Sequence, residues 1–360
     1  MIPLTARELQ QRIDRGEAVE SVTLCEEQLA GVRLCGAVFS HVVFSGADLR
    51  RRRLEDTLFD HCRLERADFS GGAIKDCRFN HCALPAADFS GCDISGSLFN
   101  HCLLMESRFG AGDIASTQFL ESPLTGAVFD RCALYRVTLF KTPLHQARLR
   151  HCQATLTTLF GIDLTATVFG QSHFDRAIFV GCDHRNNDYR RQSFIACQFT
   201  DNAMDNVDFS HAILTRSCFK GASLAAARFE HAHCAQALFI DGNLARARCR
   251  HGHFDQGQFI GADLRQADFS HASLEQALLH RALAGLCRFA GCNLAYADFC
   301  GADLQGADLR QARFLRTRLH RSRQTAALFS TRKGLLEADE ALHAAEEWSL
   351  RRPPFTSATT

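Results

Sequence analysis

Ala262-Asp263-Leu264-Arg265-Gln266 and Ala267-Asp268-Phe269-Ser270-His271, followed by Ala297-Asp298-Phe299-Cys300-Gly301 and Ala302-Asp303-Leu304-Gln305-Gly306, place one large apolar residue in every five. The beat extends outward from these units. Between Leu24 and Leu319 it passes through 60 centre positions without insertion or deletion, and 53 of them are Leu, Phe or Ile. Two places before each centre the residue is Ala, Cys, Ser, Thr, Val or Gly in 54 of the 60. A period of five matches neither the helical repeat nor the two-residue repeat of a strand. It matches a chain that turns a corner every five residues, so that four sides close a coil of twenty. The centre and the small residue two before it point inward, and the other three point out. Sixty sides make about 15 coils, stacked through backbone hydrogen bonds at roughly 4.8 Å. Pairing a large inward residue with a small one fills a narrow interior at native density. Each coil leans on its neighbours, so stability rests on stacking.

The quoted units resemble the A(D/N)LXX motif of pentapeptide-repeat proteins, and the resemblance covers about residues 22–321. It implies an all-β fold, a right-handed quadrilateral parallel β-helix. The motif names no activity. Residues 1–21 are expected as a lead-in and capping helix. Thr5 is an N-cap, Glu8 completes a capping box, Leu4 and Leu9 stand at staple positions, and Gly16 is a stop. An open β-helix end is an exposed edge, which a cap protects. Leu4-Thr5-Ala6-Arg7-Glu8-Leu9 with Gly16-Glu17 also resembles the lead-in of pentapeptide proteins found with bacterial type VI secretion machinery. Residues 322–360 are expected to hold an amphipathic helix over 334–350, with Leu335, Leu342 and Trp348 as a lid or as partner anchors.

Composition bounds the function. The net charge is +1, and positions 24–319 carry 32 basic against 31 acidic residues. That balance argues against general attraction to nucleic acid. No apolar run is long enough to span a membrane, and the first residues lack a secretory pattern. Eleven of the 17 cysteines fall on the small inward position, where Cys acts as a small hydrophobe. Buried free thiols predict a reducing compartment, hence the cytoplasm. Cys62, Cys82 and Cys102 stack in one column, which packing explains without a metal.

Function is sought where the beat fails. Around 182–192, His184 and Tyr189 occupy centres and Asn187 and Gln192 occupy small positions, flanked by Arg185, Arg190 and Arg191. Four inward polar groups predict a bulge, a kink or an exposed face. A milder flaw is expected at Ala154, with Leu156 outside the register. Before about residue 200 the small position is rich in Cys, Ser and Thr, and afterwards Ala dominates. His41, His61, His81 and His101 form one outward column, and His211, His231, His251 and His271 a second. Arg50-Arg51-Arg52-Arg53 is the densest basic run, with Arg52 at an inward position. No phosphate loop, nucleophile elbow or HExxH motif is present, so neither catalysis, cofactor nor metal is expected. The expected function is a non-enzymatic cytoplasmic scaffold or adaptor that binds protein partners, in its specific form type VI secretion-associated, with a homodimer contact through one end. The second expectation, from the gyrase-protecting members of the family, is a DNA mimic that binds gyrase or topoisomerase.

Overall fold

The computed structural model describes residues 4–350. It is a parallel β-solenoid whose paired strands and bridges lie twenty residues apart from Val19 to Leu328. One nine-stranded sheet runs from Val19–Glu20 through Val38–Ser40 and Leu58–Asp60 to Ile178–Val180. An eight-stranded sheet runs from Arg53–Glu55 to Ser193–Ile195. Single bridges in the same register carry the ladder on from Gln198↔Cys218 to Asp303↔Arg323, and Asp308 pairs with Leu328. The ladder therefore makes about sixteen turns.

Each corner is made by the residue two after the centre, which adopts the left-handed conformation, as at His61 (φ 51°) and Arg66 (φ 57°). The centres face inward with almost no exposure. Two opposite sides carry phenylalanine. Phe59, Phe79, Phe99 and Phe119 stack at 4.7–4.9 Å between ring centroids. Phe69, Phe89, Phe109 and Phe129 do the same at 4.7–4.9 Å. The two columns meet edge to face across the interior, as in Phe89–Phe99 at 5.9 Å and 84°. Leu and Ile fill the remaining sides, for example Leu64, Leu84, Ile74 and Ile94.

The change of composition near residue 200 has a structural cause. In the later coils the backbone N–H of the small residue donates to the centre carbonyl three places back on all four sides, as in Ala222 to Phe219 (3.1 Å) and Ala237 to Cys234 (3.0 Å). Ala suffices there. In the earlier coils that bond is missing on two sides, and a side chain from the next coil takes the carbonyl. Cys102 Sγ donates to Phe79 O, Ser122 Oγ to Phe99 O and Thr142 Oγ1 to Phe119 O, at 3.0–3.1 Å. Cys, Ser and Thr thus supply a donor at most of the corners that lack a backbone turn bond, with Val137, Ile162 and Ala177 as exceptions. The switch falls between Cys197, whose N–H goes to Ser217 Oγ, and Asn202, whose N–H goes to Phe199 O.

The expected bulge or exposed face at 182–192 is absent, and the register continues through Asp183↔Ala203 and Asp188↔Asp208. His184, Asn187, Tyr189 and Gln192 are all buried. The longer amides make the same bond as the hydroxyls: Asn187 Nδ2 donates to Leu164 O at 2.9 Å and Gln192 Nε2 to Phe169 O at 3.1 Å. At the other flaw Ala154 is buried in register opposite Leu134 and Phe174, and Leu156 is a left-handed corner.

The N-terminal end is covered, whereas the inward residues of the last coil, Gln324, Ala327 and Phe329, stay half-buried. Helix α1 (Ala6–Asp14) carries the expected capping box between Thr5 and Glu8 and buries Leu9 and Ile13 on the first coils, and Gly16 (φ 67°) ends it. A one-turn helix, α2 (Glu26–Leu29), replaces one side. The helix expected over 334–350 is shorter: α3 spans Glu340–Leu350. Leu335 and Leu336 instead form a strand paired with Thr317 and Arg318. Gly334 (φ 93°) sits against Phe314 O, too close for a side chain, and starts the chain on that path.

Candidate interaction surfaces

The basic residues at the polar coil do not converge. Arg185 and Arg190 lie on adjacent sides, each held by the aspartate two residues earlier. Arg185 Nε donates to Asp183 Oδ1 at 2.9 Å and Arg190 Nε to Asp188 Oδ1 at 2.9 Å. The same aspartate accepts the arginine's backbone N–H at 3.0 Å in both units. Arg50–Asp48, Arg265–Asp263 and Arg310–Asp308 repeat the arrangement. The guanidinium beside each of Asp183, Asp188, Asp263 and Asp308 holds its carboxyl below the ordinary range. These units are self-neutralised, and Arg191 stands exposed at a corner.

The Arg50–Arg53 run separates in the same way. Arg53 Nε pairs with Glu55 at 3.0 Å. Arg52 turns inward and its guanidinium donates to Val32 O (3.0 Å) and Leu29 O (2.9 Å), tying α2 to the following coils. Asp48, Asp68 and Asp88 form a short acidic column that Arg108 closes.

The histidine columns are left-handed corner residues, with φ between 50° and 62°. His is enriched among non-glycine residues in that conformation. Rings His41 to His101 stack nearly parallel at 4.9–5.1 Å, and His211 to His271 at 4.9–5.3 Å. Parallel rings in one column do not aim their nitrogens at a common point. A third stack, His233–His253, lies on a side rather than a corner. Partial desolvation, with His231 and His271 on either side, lowers the pKa of His251. The buried cysteines are packing residues: burial pushes the thiols of Cys92, Cys152 and Cys182 up to about 11. All 17 cysteines are free.

Of the tail residues, Leu335 packs against the core and Trp348 is 58% exposed on α3. The side chain of Leu342 lies outside the described residues. No helix among the described residues is long and apolar enough to cross a membrane.

One surface escaped the sequence reading. On the side whose centres run from Phe99 to Leu279, the outward residues flanking the centres include Leu98, Leu120, Phe140, Phe160, Ile178, Val180, Leu238, Ile240, Ile260 and Leu278. From Leu98 to Leu278 the positions directly flanking the centres carry one formal charge, Lys220, and the corner column beside them adds Glu121, Lys141, Asp201 and Asp241. Phe140 and Phe160 stack in the open at 4.9 Å, and Phe160 and Val180 are 38% and 40% exposed. The other three sides mix Asp, Glu and Arg along most of their length. The signal was present in the sequence as two columns, but only the coil of twenty brings them side by side.

Family models agree with this geometry. "Pentapeptide repeat region" matches residues 32–109, and "Pentapeptide repeats (8 copies)" matches 193–230, 243–281 and 287–323. Together these cover more than half of the chain, which belongs to the pentapeptide repeat family. No curated protein matches. Among solved structures, HetL, a pentapeptide repeat protein involved in heterocyst differentiation regulation from the cyanobacterium Nostoc, is 18% identical. That match covers 92% of this chain and 98% of HetL, with a TM-score of 0.22. QnrB1, a plasmid-mediated fluoroquinolone resistance protein, is 19% identical over 44% of this chain and 90% of its own, with a TM-score of 0.29. A thylakoid-lumen pentapeptide repeat protein of Arabidopsis thaliana is 26% identical over 33% and 69%, with a TM-score of 0.22.

Proposed function

We propose that this protein is a non-catalytic scaffold rod that binds a protein partner along the side that carries its outward apolar residues. The observation that carries the reading is the pair of apolar stretches on one flat side, Leu98 to Val180 and Leu238 to Leu278, separated by Gln198, Thr200, Cys218 and Lys220. A partner that fits presents a flat surface of low charge, and it gains roughly 25 cal/mol for each Å² of apolar area covered. The buried free thiols favour a reducing compartment such as the cytoplasm. The capped N-terminus and its lead-in support a narrower form, an adaptor associated with bacterial type VI secretion machinery. The gyrase-binding DNA-mimic reading lacks support from a long acidic stripe, since the stacked aspartates Asp48–Asp88, Asp93–Asp113, Asp163–Asp183 and Asp188–Asp208 are short columns followed by Arg108, Ala133, Ala203 and Arg228.

The test is affinity capture from the native cell with three proteins: wild type, Phe160→Asp/Val180→Asp, and Leu335→Ala/Leu342→Ala/Trp348→Ala. The strip variant is expected to lose the specific partner while its circular dichroism stays unchanged, and the tail variant to keep it. An identical partner set for wild type and strip variant would overturn the proposal. Loss in the tail variant alone would move the site to the C-terminal end.

A further inference from the structure

We propose that His280, Asp298 and Cys300 form a binding site for a divalent transition metal ion of the zinc class near the C-terminal end of the rod. His280 and Cys300 occupy one outward column on successive coils, and Asp298 stands in the neighbouring column two residues before Cys300. One nitrogen, one carboxylate oxygen and one sulfur from these residues all lie within 4.8 Å of one another. Donors around a tetrahedral ion at roughly 2.0–2.3 Å stand about 3.5 Å apart, so a small contraction closes the set. Imidazole, carboxylate and thiolate together suit zinc.

The donors are already drawn together: His280 Nε2 lies 2.9 Å from Asp298 Oδ2, with the Cys300 sulfur beside them. Asp298 is only 5% exposed, and its Oδ1 is fixed by the N–H of Cys300 at 2.9 Å. The cluster lines an open cavity of about 610 Å³ with Ile260, Arg318 and His320. Arg318 competes for the carboxylate, with Nη1 3.3 Å from Asp298 Oδ2, but its Nη2 donates to Asp339 Oδ2 at 2.8 Å. Asp339 therefore retains Arg318 when an ion takes Oδ2. On binding, Cys300 Sγ releases its proton to solvent and the sulfur lone pair forms the metal bond. Three protein ligands leave one tetrahedral position open to water or to a partner's side chain.

The full chain is titrated with Co²⁺ in a Cys25→Ser/Cys35→Ser background, because those two thiols are exposed. The expected result is one Co²⁺ per chain with a thiolate-to-cobalt charge-transfer band, and Zn²⁺ abolishing that band. Cys300→Ser is expected to remove the band and His280→Gln to weaken binding roughly tenfold or more. A missing band, or a band that survives Cys300→Ser, overturns the proposal. If Cys300→Ser does not fold, an unchanged Co²⁺ affinity in His280→Gln overturns it instead.

Discussion

The interior polar coil should make the stability of this rod depend on pH in a window where its aspartates are silent. His184 is fully buried, and burial lowers its pKa to about 3, against an ordinary value of 6.5. Tyr189 Oη accepts from Asn187 Nδ2 at 2.9 Å and is hydrogen-bonded to His184 Nδ1 at 2.8 Å, an arrangement that suits a neutral ring whose Nδ1 accepts the hydroxyl proton. Protonating Nδ1 removes the acceptor of the tyrosine hydroxyl and charges an apolar interior. Protons therefore bind the unfolded chain first. The stability tied to a neutral His184 is fully present above pH 6.5 and is lost as pH falls from there towards 3. Between pH 7.5 and 5 this residue alone should remove about 2 kcal/mol. The comparison protein is His184→Leu/Tyr189→Phe, which restores Leu and Phe to two centres. Removing both partners of a buried bond is close to neutral, so its stability at pH 7.5 should stay within about 1 kcal/mol of wild type. Equilibrium urea unfolding of both proteins at pH 7.5 and 5, followed by circular dichroism, gives the two losses. The outward histidine stacks occur in both proteins and cancel in the difference. An equal loss in both would refute the reasoning. Amide exchange across 174–209 supplies the same comparison locally, since a long repeat array does not always unfold as one unit.

Three further outcomes follow from the same geometry. Tyr189→Phe alone leaves His184 Nδ1 buried without a donor and should cost about 1–3 kcal/mol, measured in the same urea series at pH 7.5. Phe99→Ala opens a cavity between Phe79, Phe119 and Phe89 and should cost about 3–5 kcal/mol, read as a lower thermal midpoint. Arg52→Ala frees the carbonyls of Val32 and Leu29 and should expose the segment around α2 to amide exchange, whereas Arg185→Ala, on the surface, should change stability by less than about 1 kcal/mol.

How much was legible depends on which way a residue points. Inward residues obey one rule per five positions, so the coil, its register and even the composition change near residue 200 could be seen in the sequence. What could not be seen was the reason for that change, a backbone turn bond present at Ala222 and absent at Cys102. The polar coil was misjudged because inward amides were assumed to need space. Asn187, Gln192 and Asn202 each reach a carbonyl 23 residues earlier, as Ser122 and Thr142 do with shorter side chains. The tail was misjudged because Leu335 at helical spacing from Ala338 also suits a strand, and pairing with Thr317 decides it. The donors at 280, 298 and 300 match no short motif, since their neighbourhood exists only once a coil of twenty is closed.

This division between inward and outward positions bears on the apolar strip. In a five-residue unit the three outward residues can change without touching the core, and the other three sides show what folding alone tolerates: Asp, Arg, Ser and Gln in mixed order. Folding therefore supplies no reason for Phe140, Phe160, Ile178, Val180, Leu238 and Ile240 to share one side. Exposed strips of this kind invite association, and large ones on soluble proteins mark interaction sites. Two occupants are physically distinct, a partner protein or the same strip of a second copy packed side against side. Self-association would make sedimentation of the purified chain depend on its concentration, and Phe160→Asp/Val180→Asp would abolish that dependence. A monomer at all concentrations leaves the strip to a different protein, which is the occupant favoured here. The strip is offset from both ends of the rod, where a copy joined end to end would have to meet it.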